Sequence, residues 1–143
     1  MAAMGSVFVS APGVSARDMA ERFLAGMGVS AEEIANAQFR SAATEEPGFA
    51  IPRGTDYHGY EAEQGFPAWI RVGQLDEAYR ARTLADYEGY PQINDALFGA
   101  THLIRLVYGY NADSERRVAE SVQGLASDHP VAWLDDAGAL HRP

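Results

Sequence analysis

Asp56, His58 and Glu61 lie close together in the chain, and an imidazole flanked by carboxylates can hold a divalent ion or pass a proton. The spacing favours neither use. A helical metal pair of the H-E-x-x-H kind sets two histidines one turn apart on one face, whereas here Gly59 leaves the backbone conformation open. A second group, His58 with His102 and Arg105, would suit a small-molecule pocket in which the arginine binds an anion. In an apolar run, residues like His102 and Arg105 more commonly serve as a structural histidine and one half of an internal ion pair, for which Asp95 is a candidate partner. Gly54, Gly59 and Gly65 are irregularly spaced with no lysine after them, so they form no phosphate loop, and Gly-x-Ser-x-Gly does not occur. No catalytic residue, metal ligand or cofactor is assigned on these grounds.

The stretch containing Asp56 reads better as a binding surface. Residues 45–63, EEPGFAIPRGTDYHGYEAE, set Glu45, Glu46, Asp56, Glu61 and Glu63 against Arg53 alone. Acidic side chains interleaved with tyrosine suit a basic protein partner, because charge steers the encounter and tyrosine buries much area at little entropic cost. The expected contacts are Asp56, Tyr57, Tyr60, Glu61 and Glu63, with Trp69 and Tyr90 as aromatic anchors. Tyr79 and Tyr108 are expected in the core, and Tyr87 and Tyr90, beside glycine, proline and acids, on the surface.

Charge and composition narrow the classes. A net charge of −9 with a pI near 4.8 argues against nucleic-acid binding, which needs clustered cations to displace counterions from phosphates. All eleven cations are arginine, as in proteins of GC-rich bacterial genomes. With 143 residues, 47% of them hydrophobic, the chain has the makings of one domain with its own core. It contains no cysteine, which removes disulfides and thiolate chemistry. The opening residues lack the charged region of a signal peptide, and no apolar run approaches the ~20 residues of a membrane span. A cytoplasmic protein without a membrane partner is expected, with residues 1–5 and 141–143 outside the folded body.

Elements able to carry such a surface follow from pattern. Ser6 to Ser10 is β-branched and aromatic and ends at Pro12-Gly13, a strand and turn. Gly-Val-Ser-Ala occurs at 13–16 and again at 28–31, each time as a helix start in which serine caps the residue three further on and valine staples to Met19 or Ile34. From residue 40 to 67, rich in proline and glycine, a long and therefore functional loop is expected. Ala68–Val72 reads as a strand and 75–87 as a helix with Leu75, Ala78, Tyr79, Arg82 and Ala85 on one stripe. A short helix behind Pro91, a strand over 103–110, a helix from Asp113 or Ser114 to Ser127 and a strand over 131–134 complete the chain, with Asp135 to Gly138 as a turn. The alternation predicts an α+β fold: a mixed sheet of about five strands covered mainly on one face by about four helices.

The closing helix with VAWLDDAGALH at 131–141 resembles the terminal helix, strand and turn of small acidic bacterial immunity proteins, which neutralise toxins of polymorphic-toxin and contact-dependent systems. The resemblance covers that unit only. It implies a single-domain inhibitor that masks a basic toxin by occlusion, through acidic and aromatic side chains and without turnover.

Overall fold

The computed structural model describes residues 2–36, 57–61, 69–109 and 111–143. They form an α+β domain in the order β1 (Ala2–Val9), α1 (Ala16–Gly26), α2 (Ala31–Asn36), β2 (Tyr57–Glu61), β3 (Trp69–Gln74), α3 (Glu77–Asp86), α4 (Pro91–Gly99), β4 (His102–Gly109), α5 (Ala112–Ala126), β5 (Val131–Leu134) and β6 (Leu140–His141). The strands join in one sheet of order β2-β3-β4-β1-β5-β6. Every described ladder is antiparallel, so the mixed sheet expected from the alternating elements is not what forms. Helices lie between the strands in sequence, but none carries the chain over the sheet into a parallel neighbour.

β1 is the hub, paired with β4 on one side and β5 on the other. Residues 2–5, expected to lie outside the fold, are its first half. Strand alternation sends Ala3, Val7 and Val9 to one face and Phe8 to the other. The first face, with Ile70, Val72, Ile104, Leu106 and Tyr108, packs on Met19, Phe23 and Leu24 of α1 and Val118, Val122 and Leu125 of α5. The second face carries a smaller core in which Phe8, Leu103 and Ala132 meet Leu75, just ahead of α3, and Tyr79, Ile93 and Leu97 from the α3–α4 pair. Helices thus cover both faces, the second only in part. No helix among the described residues is long and apolar enough to cross a membrane.

Local chemistry explains the helix starts. Ser15 Oγ accepts from Asp18 N–H at 3.0 Å and Ser30 Oγ from Glu33 N–H at 3.1 Å, and the valine staples pack beside them. Asp76 caps α3 and Asn111 caps α5 in the same way. Arg80 ties α3 to the end of α4 by donating to the Leu97 carbonyl and, at 2.7 Å, to that of Ala100. The inner side of α3 is Tyr79 and Thr83; Ala78, Arg82 and Ala85, expected on that stripe, are exposed. The stretch Tyr57–Glu61, expected to stay unpaired within the acidic loop, forms a ladder with β3. Aromatic residues suit an extended backbone, and an edge strand tolerates a glycine.

Helices α1 and α5 approach closely where Ser121 Oγ donates to the Phe23 carbonyl at 2.7 Å. A Cβ placed on Gly26 would lie 2.6 Å from that hydroxyl and 3.0 Å from Ser121 Cα. Gly26→Ala should therefore lower stability in urea by about 1–3 kcal/mol, the usual cost of overpacking, although alanine gains about 1 kcal/mol at an open helical site. Ser15→Ala and Ser30→Ala should each cost about 0.5–2 kcal/mol by the same measurement.

Candidate functional site

The site grows from the half of the second sheet face that α3 and α4 leave open. The register sets Met4 opposite Val107, Ser6 opposite Arg105 and Leu134, and Arg71 opposite Arg105, so these residues share the face of Phe8. Asp86, Tyr87 and Tyr90 wall it where the chain passes from α3 to α4. On the other side stands the turn Asp135–Gly138, which links β5 to β6. Together they enclose a groove of about 700 Å³.

Tyrosine fixes one wall. The Tyr87 ring meets Phe8 edge-on at 6.0 Å and Tyr90 at 6.2 Å, both favourable quadrupole arrangements. Its hydroxyl is hydrogen-bonded to that of Ser6, which leaves Tyr87 half-buried instead of exposed as expected. Tyr90 lies on the surface as expected, 43% exposed, and Met4 across the groove is 64% exposed. The opposite turn reaches the tyrosine through Gly138, whose φ of +85° suits glycine; a Cβ there would stand 3.8 Å from Tyr90 Cε1.

Carboxylates line the rim. Asp86 Oδ2 accepts from Arg105 Nη2 at 3.2 Å, so Arg105 is paired as expected, with Asp86 as the partner in place of Asp95. Asp136 Oδ1 accepts from Met4 N–H at 2.8 Å. Asp135 accepts from Ala139 N–H at 2.9 Å and His141 Nε2 at 2.7 Å, and the His141 ring stacks on Trp133 with centroids 5.0 Å apart. Under the rim, burial lifts the Tyr79 phenol above its ordinary value against the lowering pull of Arg105.

The pocket of His58, His102 and Arg105 does not assemble. His102 is 1% exposed, and its side chain faces the opposite side of β4 from Arg105, three residues away in a strand of period two. The Val14 carbonyl 2.8 Å from Nε2 can only accept, so Nε2 carries a proton, and Nδ1 is hydrogen-bonded with the Thr101 hydroxyl at 2.7 Å. Both nitrogens are committed to the scaffold. His58 aligns with Val72, one step out of phase with the Gly59–Arg71 pair.

Among the expected partner contacts whose side chains are described, Tyr90 reaches the groove. Asp56 and Glu63 lie outside the described residues, as does most of the acidic stretch. Tyr57, Tyr60 and Glu61 belong to β2, and Trp69 opens β3. Among the described residues no group of three histidine, aspartate or glutamate side chains could hold a metal ion. Met4, Ser6, Asp86 and the acidic turn emerge as site residues only through the sheet register; the sequence signals that touch them are the Tyr87–Pro91 run and the Asp135-Asp136 pair. No protein-family model, curated protein or solved structure matches the chain.

Partial burial pushes the Asp135 carboxyl up, but the bonds from His141 and Ala139 outweigh it and hold the group below its ordinary 3.8. A carboxyl depressed in the folded state stabilises the fold fully above its unfolded value, and this contribution disappears as pH falls through the folded value. The stability difference between the native protein and Asp135→Asn should close as pH drops below 3.8, as followed by urea unfolding across that range.

Proposed function

We propose that this protein is a stoichiometric inhibitor of the immunity type, which occludes a basic protein partner by means of the open half of its second sheet face. The observation that carries the reading is the convergence of Met4 and Tyr90, both exposed apolar or aromatic side chains, with Asp86, Asp135 and Asp136 around one groove. Anchors of this kind encircled by charge are the usual anatomy of a binding hot spot. The net charge of −9 extends that complementarity beyond the groove, speeding approach of a cationic surface.

Tyr57 and Glu61 occupy register positions in phase with Arg71 on that face, so the acidic strand β2 and the groove can serve one partner together. The alternative, a small enzyme or ligand-binding domain, loses its central residue because both His102 nitrogens hold the backbone and Thr101 in place.

Binding kinetics against the product of the adjacent gene test the proposal. Tyr90→Ala should raise the dissociation rate by an amount worth about 1–3 kcal/mol. Ala137→Arg, at an exposed rim position, should slow association and weaken its dependence on salt. Both variants should keep the native melting temperature. Unchanged rates for both would remove the groove from the interface.

A further inference from the structure

β1 is longer than the strand beside it. Its ladder to β4 extends to Ala2↔Gly109, whereas its ladder to β5 stops at Ser6↔Leu134. Among the described residues, the middle of the sheet therefore has an edge on the β5 side from Ala2 to Gly5. Met4 N–H points to that side, since it donates to Asp136 Oδ1. In an antiparallel strand the N–H and C=O of one residue turn to the same neighbour, so the Met4 carbonyl and the backbone groups of Ala2 face the same way. A carboxylate side chain thus stands where a neighbouring strand would offer a carbonyl. Asp135 and Asp136 divert the chain into its turn, and the groove that Met4, Gly5, Leu134 and Asp136 help to line lies beside this edge.

We propose that an extended segment of the basic partner adds to the sheet at this place, as a short strand paired with Ala2 and Met4 in line with β5, one of its carbonyls taking the Met4 N–H in place of Asp136 Oδ1. The inference rests on the proposed function and specifies how the groove is used. Exposed strand edges are templates for added strands, with main-chain bonds supplying affinity and alternate side chains supplying specificity. At ~3.3 Å per residue, the edge from Ala2 to Gly5 accommodates about four residues. Side chains of the segment opposite Met4 stand on the second face, beside Tyr90, Asp86 and Asp136, where a cation fits. Those opposite Gly5 point to the first face beside Leu106 and Trp133, where an apolar side chain fits. The segment recognised is thus one in which arginine or lysine alternates with an apolar residue.

Amide spectra of the ¹⁵N-labelled full chain provide the test. The probe is the capped pentapeptide Arg-Val-Arg-Val-Arg, compared with two versions N-methylated at alternate amides in either phase and with Glu-Val-Glu-Val-Glu. The arginine peptide should shift the amides of residues 2–6 and 136–138. One of the two methylated phases should bind at least about tenfold more weakly, the effect of losing one or two backbone hydrogen bonds, and the glutamate peptide should not bind. Equal binding by both methylated forms would overturn strand addition while leaving the groove as a basic-partner surface. Absence of shifts with any peptide would overturn strand addition and the proposed interface together. A dimer of the free protein with slowed exchange at Met4 would overturn it in favour of self-pairing along the same edge.

Discussion

The register between β1 and β4 is the constraint on which the other packing depends. Alternation along β1 supplies Ala3, Val7 and Val9 to the larger core and Phe8 to the smaller, and Arg105 faces the groove only because Ser6 is its partner. A slip of β1 by one residue would exchange its two faces, turning Val7 and Val9 away from α1 and α5 and setting Ser6 and Phe8 in their place. Two hydrophobic cores of different size thus select one pairing, and the groove is the remainder of the face that the smaller core does not use.

Arginine is well suited to that remainder. Arg71 and Arg105 stand directly opposite one another on adjacent strands, an arrangement that like charges ordinarily disfavour. Asp86 at the end of α3 compensates Arg105 at 3.2 Å, and the planar guanidinium keeps its charge in a setting where an ammonium is held less firmly. The same aspartate lends its backbone to the turn that delivers Tyr87 and Tyr90. Charge compensation and the shaping of the groove wall therefore share one short segment.

Local signals in the sequence carried much of the fold. Ser15 and Ser30 act as caps because capping is decided within four residues, and α5 lies where its apolar spacing places it, with Ser114, Val118, Ser121, Val122 and Leu125 inward. The closing strand and turn over 131–138 are equally local. Pairing direction is not: nothing near Tyr57 announces that it will meet Gly73, and the inner stripe of α3 shifted to Thr83 because that helix packs on a sheet face whose composition is set by β1 and β4. The site was less legible than the fold. Tyr90 and the Asp135-Asp136 turn were visible as exposed aromatic and acidic features, but Met4 and Ser6 become site residues only when strands far apart in the chain are brought side by side.

The position of β1 also bears on how the molecule comes to exist. Its hydrogen-bonding neighbours are residues 102–109 and 131–134, so β1 leaves the ribosome well before either of its partners. Helices α1 and α2 can form early from local contacts, but the sheet closes through loops of high contact order, which are slow to form. During that interval Val7, Phe8 and Val9 are an unpaired apolar strand in a nascent chain, the kind of segment that chaperones hold. Final assembly is thus a late event, in which β4 and then β5 complete the pairing of β1.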